Sequence, residues 1–381
     1  MANAQGEAEV DVAAFRAELR AWLAEHLTPQ VAEAGGGNME GDDLELLRSW
    51  NRVLADGGWA APAWPAEYGG RGAGVGEQLA YLEEMSRAGA PGPVNVIGVS
   101  NIAPAIMQFG THEQQARFLH PMLRGDEIWS QGMSEPDAGS DLASLRTAAV
   151  EDGDDFVLNG QKTWNSLGHH ADWCQLYVRT DASVKKHAGI TCFLVDMRTP
   201  GIEARPITTM TGDHTFAELY FTDARIPRSA MLGPLHGGWT VAMTTLSYER
   251  AGVARLHLSL ARRLDDLLSD PRAVEGRKDP VLRDRLASVY ASIRVMRHLT
   301  ERSLADSSEG AGALGSLAKL SWAYCDQELG NLAVDLIGLE ALCNHDRWAD
   351  NFLAVRQASI AGGTTEINKN IVGEHVLGLP R

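Results

Sequence analysis

Cysteine is scarce in this sequence, and neither a long apolar run nor a dense basic run is present. The cysteines lie far apart and form no Cys-x-x-Cys pair: Cys174, Cys192, Cys325 and Cys343. This spacing favours reduced thiols that pack in the interior over disulfides or a zinc site. No stretch approaches the roughly 18 consecutive apolar residues that a membrane-spanning helix needs, so the sequence predicts no membrane span.

Positive charge is also in short supply. The chain has 34 Lys and Arg residues against 50 Asp and Glu residues, a formal net charge of -16. An acidic chain without a basic cluster is not attracted to phosphate backbones, so we expect no nucleic-acid partner. The first residues, "MANAQGEAEVDVAAF", show no basic segment followed by an apolar core, which predicts a cytoplasmic protein.

Two common ligand-binding signatures are missing as well. His169 and His170 are adjacent but have no third ligand at a suitable spacing, so we expect a loop here and no metal site. The glycines of "GWAAPAWPAEYGGRGAG" lack the Gly-x-Gly-x-x-Gly spacing of a dinucleotide fingerprint and follow no predicted strand. The sequence therefore predicts no metal centre at these histidines and no dinucleotide fingerprint at these glycines.

What the sequence does contain is an N-terminal block with helical periodicity. From residue 12 to about residue 128, apolar residues recur every three or four positions, and Gly89 is a plausible helix end. The chain of 381 residues is 44% apolar, enough to bury a sizeable core. Two apolar stripes carry the helical prediction: Phe15, Leu19, Trp22 and Leu23, and then Leu79, Leu82 and Met85.

The period changes to two after this block and returns to helical later. The segments "DFVLNGQKTW", "WCQLYVRT", "ITCFLVDM" and "AELYFTDARIP" alternate or run apolar between turn residues, which is typical of strands. Long helical patterns resume from residue 238. The sequence predicts an α+β fold with an N-terminal helical domain (1–128), a central β domain (129–235) and a C-terminal helical domain (236–381).

Three short stretches combine small polar residues with tryptophan or glycine. "WSQGMSEPDAGSDLASL" suits a planar polar ligand that stacks and accepts hydrogen bonds, although a simple turn into a strand would have the same composition. "NGQKTWNSLGHHADW" adds Trp164 and Ser166 at a strand end. In "SIAGGTTEINKN", residues 359–370, either a ligand approaches the glycine backbone or the loop only turns a corner.

Together these stretches resemble the acyl-CoA dehydrogenase family of flavoproteins, and the chain is identified as an actinobacterial-type member. The resemblance implies helical, β-barrel-like and four-helix-bundle domains in that order. It also implies FAD, an acyl-CoA substrate oxidised to the 2,3-enoyl-CoA, an acceptor such as an electron-transfer flavoprotein, and a dimer or tetramer. Seven pieces occur in the family's order: "GWAAPAWPAEYGG", "LEEMSRAGAP", "MSEPDAGSDLASLRT", "LNGQKTWNS", "ELYFTDARIP", "LSYERAG" and "IAGGTTEINKNIVGEHVLGLPR".

The resemblance assigns roles to the first polar stretch. Its residues would contact the pyrimidine side and the ribityl chain of the flavin, while Ser140 would face the pantetheine arm of the thioester. The residues that match these flavin contacts are Trp129, Gln131, Met133 and Ser134.

The other two stretches would complete the flavin site. By the same resemblance, Trp164 would cover one face of the isoalloxazine and Ser166 would donate to its N5 edge. Thr364 and Glu366 would touch the flavin phosphate or adenosine from a neighbouring subunit. The N–H of Gly362 would point at the thioester carbonyl, where it would stabilise developing enolate charge.

The resemblance also implies a catalytic base on a helix. Many family members carry a glutamate in the C-terminal loop, where this chain has Gly362, and a subset carries it at a position that matches Glu249 in "LSYERAG". We expect Glu249 to remove the α-proton, although a Glu beside an Arg on a helix is more often a surface pair. Arg250 would then be a substrate-site or structural cation.

The chain departs from the family where the pyrophosphate and adenine of an adjacent subunit's FAD are usually held. The segment "ARRLDDLLSDPRAVEGRKDP" and the turn "VDLIGLEAL", with Asp335 where a Gln is usual, match neither cradle. We therefore expect weak flavin binding by this chain alone and a homomeric or heteromeric enzyme. Two alternatives stay open: a flavin oxidase or N-hydroxylase on the same fold, and a flavin-poor partner subunit of a heteromeric dehydrogenase.

Overall fold

The computed structural model describes residues 11–35, 41–251, 256–305, 311–343 and 346–380, without the side chains of residues 249–251, 303–305 and 311–313. These residues form two compact units. The first runs to Val94 and includes Leu123–Gly125, and the second holds Asn95–Met122 and the chain from Asp126 onward. The boundaries inferred from the sequence at residues 128 and 235 stay predictions.

Helices build the first unit. Asp11 caps the first helix by accepting hydrogen bonds from the N–H groups of Ala13 and Ala14, and Thr28 caps the second. Gly89 ends the fourth helix with a left-handed φ of 69°, as the sequence predicted. The described helices are α1 (Val12–His26), α2 (Pro29–Ala34), α3 (Gly41–Asp56) and α4 (Val75–Ala88).

The predicted apolar stripe of α1 is confirmed in its main part, because Phe15, Leu19 and Leu23 are buried. The prediction for α4 was wrong at Leu79 and Leu82, which are only half-buried. The buried face of α4 instead carries two glutamates beside its apolar and aromatic residues. Its buried members are Glu77, Ala80, Tyr81, Glu84 and Met85.

Glu84 can lie in this interior because α1 supplies two cations. The side chain is 1% exposed, and it accepts hydrogen bonds from Arg16 at 2.7 Å and from Arg20 at 2.5 and 2.9 Å. These bonds, led by the one from Arg20, lower the pKa of Glu84 to about 2 against the opposing effect of burial. The α1–α4 pair is therefore joined by a buried ionic contact that apolar periodicity does not show.

A single eight-stranded sheet forms the middle of the second unit. Its strand order is β6-β7-β3-β2-β4-β5-β8, with β1 beside β4. β1 and β4 are parallel, and the long β3–β7 pairing is antiparallel. The strands are β1 (Trp129–Gly132), β2 (Ala148–Asp152), β3 (Asp155–Ser166), β4 (Trp173–Arg179), β5 (Ile190–Asp196), β6 (Ile202–Ile207), β7 (Phe216–Pro227) and β8 (Met231–Leu232).

Helices precede and follow this sheet, so the predicted α+β order of helical, β and helical segments is confirmed. Within the described residues, no helix is both long and apolar enough to cross a membrane. The helices of this unit are α5 (Ala103–Phe109), α6 (His112–Arg124), α7 (Gly238–Ala251), α8 (Leu256–Ser269), α9 (Ala273–Gly276), α10 (Pro280–Ala305), α11 (Ala311–Ile337), α12 (Arg347–Ala354) and α13 (Thr365–His375), with a 3-10 segment at Val355–Ser359.

Helix α11 is the common support of the C-terminal helices. It packs against α7, α8, α9, α10, α12, α13 and the Val355–Ser359 segment. Leu329, Leu332 and Ala333 of α11 are fully buried in the apolar core that these helices share. One sequence-based expectation needs correction here, because Cys343 is exposed and does not pack in the interior.

We predict that Glu84→Gln lowers the free energy of unfolding by about 2 kcal/mol at pH 7, because hydrogen bonds to charged groups contribute about 1.5–3 kcal/mol. The measurement is urea unfolding followed by tryptophan fluorescence. Glu45→Gln is the matched control, because the side chain of Glu45 is 69% exposed. The folded pKa of Glu84 is depressed from 4.5 to about 2, so its contribution is complete above pH 4.5 and is lost as the pH falls toward 2. Equal stabilities at pH 7, or a gap that persists to pH 2, would contradict this assignment.

Candidate functional site

A buried ion pair fixes the loop that follows β1. Lys162 of β3 is fully buried, and its Nζ donates to the carbonyl of Met133 at 3.0 Å and to Glu135 Oε1 at 2.8 Å. Glu135 in turn accepts from the backbone N–H groups of Arg146 and Thr147, at 2.6 and 2.8 Å. One lysine and one glutamate therefore hold both ends of the loop from residue 133 to residue 147.

Burial and mutual attraction set the charges of this pair. Burial lowers the pKa of Lys162 to about 8, while Glu135 opposes that shift. Burial acts to raise the pKa of Glu135, but the attraction and hydrogen bond of Lys162 outweigh it and the net pKa is lowered. The short contact and the lowered pKa of Glu135 both favour an ion pair as the link that holds the loop.

The first two sequence-predicted flavin contacts are Trp129, which is fully buried, and Gln131, which is half-buried. The ring of Trp129 is buried in the interior, where it stacks on Trp173 with centroids 5.7 Å apart and meets Phe118 edge-on. Gln131 Nε2 is buried and has no hydrogen-bond partner within the described part of the chain, while the Gln131 carbonyl accepts from Asn165. A buried amide donor of this kind suits a ligand that presents hydrogen-bond acceptors.

Met133 and Ser134 present backbone groups beside β3. The carbonyl of Met133 accepts from Lys162, and the carbonyl of Ser134 accepts from the N–H of Thr163 at 2.9 Å. Both Met133 and Ser134 are half-buried. Their peptide groups are thus held in one place by β3 at the edge of the loop.

Trp164 has an unusual backbone. Its φ is 61°, in the left-handed region that side chains other than glycine, asparagine and aspartate rarely adopt, and Leu167 follows with a φ of 52°. The β3–β7 register shifts between residues 162 and 165, which is where this distortion occurs. The indole is 60% exposed and touches Phe216 edge-on at 6.0 Å. A strained residue with an exposed flat ring is typical of a ligand site.

Ser166 and Ser140 complete the sheet side of the candidate site. Ser166 is half-buried, and its carbonyl accepts from Ser130 Oγ at 2.8 Å. Ser140 is exposed on the loop, next to Asp141, whose two oxygens each accept from Lys186 at 2.7 Å. The loop beside Ser140 is therefore tied to the turn that carries Lys186.

The C-terminal loop is built from two left-handed glycines. Gly362 has a φ of 67° and Gly363 a φ of 89°, conformations that glycine adopts without strain. Thr364 caps α13 by accepting from the N–H of Ile367, and Glu366 is exposed in the first turn of that helix. Thr364 and Glu366 therefore lie at a helix N-terminus, where anions are favoured.

Glu249 and Arg250 lie in the last turn of α7, but their side chains lie outside the described residues. Four residues earlier on the same helix, Thr245 is fully buried and bonds to Gln175 at 3.3 Å and to Tyr177 at 3.0 Å. The face of α7 that carries Thr245 therefore contacts β4.

In the segments that depart from the family pattern, charged side chains form ion pairs with other residues of this chain. Arg272 bonds to Asp270 at 2.8 Å and to Asp346 at 2.5 Å. Asp335, at the position where a Gln is usual, bonds to Arg285 at 2.7 Å. Arg272 is thus occupied by two carboxylates, Arg277 donates to the carbonyls of Leu268 and Ala273, and Lys278 pairs with Glu275, which leaves this turn poorly suited to a pyrophosphate.

The sequence interpretation missed the Lys162–Glu135 pair. A usable signal existed in the strand period, because the alternation that buries Phe156 and Leu158 of β3 also points Lys162 inward. An inward lysine needs a carboxylate partner, and Glu135 stands in the neighbouring polar stretch. The expected loop at His169 and His170 is confirmed as a turn, and the described residues hold no cluster of three or more metal-ligating side chains.

Comparison with known families covers almost the whole chain. The N-terminal, middle and C-terminal domain models of acyl-CoA dehydrogenases match residues 10–126, 130–224 and 236–377. The chain belongs to the acyl-CoA dehydrogenase family. It is an oxidoreductase that acts on acyl-CoA, and the family generally uses FAD.

Relatives of similar length support this assignment. Acyl-CoA dehydrogenase IpdE1 of Mycobacterium tuberculosis is 40% identical over 380 residues, which cover 97% of this chain and 98% of that protein. The Tcur3481-Tcur3483 steroid ACAD has a TM-score of 0.85 at 30% identity, covering 97% of this chain and 98% of its own. The ChsE4-ChsE5 complex from Mycobacterium tuberculosis has a TM-score of 0.79 at 31% identity, with the same coverage.

We predict that Lys162→Met destabilises the chain by about 3–5 kcal/mol, because it leaves Glu135 buried without its cation. The double variant Lys162→Met with Glu135→Gln should be less destabilised than Lys162→Met alone, because it removes the unpaired charge. Urea unfolding measures both variants. Lys185→Met is the control, because Lys185 is exposed. Additive losses in the double variant would show that the two residues do not act as a pair.

Proposed function

We propose that this chain is the base-carrying subunit of an FAD-dependent acyl-CoA dehydrogenase that forms a 2,3-enoyl-CoA. The observation that carries the proposal is that the elements bearing the expected base and the expected amide donor share one support. Glu249 lies in the last turn of α7 and Gly362 lies between the Val355–Ser359 segment and α13, and all three of these elements pack on α11. A base and an amide donor that act on one thioester need such a fixed relation.

The sheet side fits a flavin. The buried and unpartnered amide of Gln131 would donate to the pyrimidine edge, together with the backbone at Met133 and Ser134. Trp164 would cover the ring and Ser166 would donate at its N5 edge, while Trp129 would support the site from the interior. Thr364 and Glu366 would lie near the phosphate or adenosine of a flavin shared with a neighbouring subunit. When bound, FAD supplies the hydride acceptor.

Glu249 would remove the α-proton. Its carboxylate needs a pKa above the usual range for Glu to act near neutral pH, and burial beneath a bound thioester would provide this shift. The N–H of Gly362 would donate to the thioester carbonyl and stabilise the negative charge that develops on its oxygen. Ser140 would bind the pantetheine arm, and Arg250 would face the substrate or brace the helix.

A heteromeric assembly is the form that we favour. Arg272 pairs with Asp270 and Asp346, and Asp335 pairs with Arg285, so these side chains are not available to a pyrophosphate. A second dehydrogenase-like chain would supply the pyrophosphate cradle. Two structural relatives are named as two-component assemblies, and one of them is named a steroid ACAD. Bulky acyl groups, including CoA thioesters of steroid acids, therefore belong in the substrate panel, with an electron-transfer flavoprotein as the acceptor.

We predict that Glu249→Gln slows flavin bleaching by an acyl-CoA by about 10²–10⁴-fold in a single turnover, because a positioned base contributes that much. Flavin content and thioester affinity should persist, since the change removes a charge and keeps the shape. Glu301→Gln is the control, because Glu301 pairs with Arg297 and His298 on the surface of α10. Bleaching at the wild-type rate in Glu249→Gln would place the base elsewhere.

We also predict that the chain purified alone retains little FAD, and that a second dehydrogenase-like chain restores binding. The measurement is the visible absorption of the protein, alone and after co-expression with candidate partner chains, with protein concentration determined independently. A yellow homomer with one tightly bound FAD per subunit would exclude the heteromeric assignment. It would leave the dehydrogenase activity itself open to the bleaching assay.

A further inference from the structure

The C-terminal glycine loop is gripped by a buried lysine of α11. Lys319 is 5% exposed, and its Nζ donates to the carbonyl of Gly363 at 2.8 Å. Asn368 of α13 is 2% exposed and donates to the same carbonyl at 2.8 Å and to that of Thr364 at 3.0 Å. The Gly363 carbonyl has two lone pairs, so these two donors satisfy it completely.

The other end of the loop is attached to the same helix. Gln327 Nε2 donates to Ser359 Oγ at 3.1 Å and to the carbonyl of Arg356 at 3.5 Å. Lys319 and Gln327 are eight residues apart, which is about 12 Å along a helix. Residues 359–364 therefore span a stretch of α11 with one side-chain contact at each end.

The two glycines explain why such contacts are needed. Gly362 and Gly363 are both left-handed, and glycine loses more conformational freedom on folding than any other residue. The Gly363 carbonyl belongs to the peptide that follows Gly363, and only the backbone torsions of the two glycines separate it from the N–H of Gly362. A fixed carbonyl at Gly363 therefore limits how far that N–H can turn. A buried ammonium is costly to remove from water, and Lys319 directs one of its donors at this carbonyl.

We propose that Lys319 is a positioning residue for catalysis. It fixes the Gly363 carbonyl and thereby orients the N–H of Gly362 toward the thioester, on the helix that also packs against α7. The proposal rests on the oxyanion role proposed for Gly362, and it adds a residue that touches neither substrate nor flavin. Its action is on the orientation of the loop, so it should affect the chemical step more than substrate binding.

Two variants and two readouts test this role in the protein loaded with FAD, together with its partner chain if the flavin is retained only in the complex. Lys319→Met should slow single-turnover flavin bleaching by about 10–100-fold, since loss of an oxyanion donor itself costs about 10²–10³. KM and flavin content should stay near the wild-type values, and Lys319→Arg should recover part of the rate. Lys278→Met is the control, because Lys278 forms a surface pair with Glu275.

Amide hydrogen exchange is the second readout, and it needs no turnover. In Lys319→Met, exchange at residues 360–364 should accelerate while the rest of α11 keeps its protection. Faster exchange throughout the C-terminal helices would show a general loosening and would overturn the positioning role. So would a wild-type rate together with wild-type exchange. If Lys319→Met does not fold, Asn368→Ala removes the other donor to the same carbonyl and should give a smaller change in both readouts.

The two proposals can fail separately. If the wild-type protein does not bleach with any acyl-CoA, the dehydrogenase proposal fails, and the exchange experiment still decides whether Lys319 holds the loop. If the wild-type protein bleaches but Lys319→Met bleaches equally fast, the positioning role fails alone. Acetoacetyl-CoA provides a direct probe of the oxyanion contact, because its enolate should bind about tenfold or more weakly to Lys319→Met than to the wild-type protein.

Discussion

The sheet side of this protein depends on one buried ammonium group. Lys162 neutralises Glu135, and Glu135 holds the N–H groups where β2 is about to begin, so a single ion pair joins β3 to both ends of the loop after β1. Removing either charge would leave the other in a medium that solvates it poorly. The left-handed backbone at Trp164 follows two residues beyond Lys162 on the same strand.

A second support, helix α11, holds the C-terminal helices and the glycine loop at residues 359–364. Its apolar residues build the core of the C-terminal helices, while its polar residues Lys319 and Gln327 reach the glycine loop. Apolar packing stabilises this region, and the hydrogen bonds from Lys319 and Gln327 position its loop. Different residues of one helix therefore have different roles. The apolar residues stabilise the fold, and the polar residues set the geometry of the candidate site.

The sequence predicted the order of helical, β and helical segments because each has its own hydrophobic period. It also predicted the buried stripe of α1 and the helix end at Gly89, where local rules suffice. It failed on α4, where Leu79 and Leu82 were expected inside and Glu84 is found there. The cations that allow this burial, Arg16 and Arg20, lie more than sixty positions earlier in the chain, so no local pattern can show them. The candidate site divides in the same way.

The motifs suggested which residues surround a flavin and a thioester, because these residue types occur in the family's order. The motifs did not show what holds those residues in place. Lys162 and Lys319 are invisible to motif analysis as supports, since each acts on a backbone carbonyl that becomes its neighbour only in the folded chain. Periodicity reveals burial, but the partner of a buried charge depends on tertiary contacts.

The left-handed backbone at Trp164 also limits how this enzyme can be engineered. Substitutions at position 164 must first be compatible with its positive φ, and only then does their effect on ligand affinity matter. β-Branched side chains are strongly disfavoured at such a φ. Glycine and asparagine relieve the backbone but remove the ring, while phenylalanine and tyrosine keep a ring and accept the strain. The φ angle of residue 164 therefore limits which side chains this position of the candidate site can accept, as much as any ligand does.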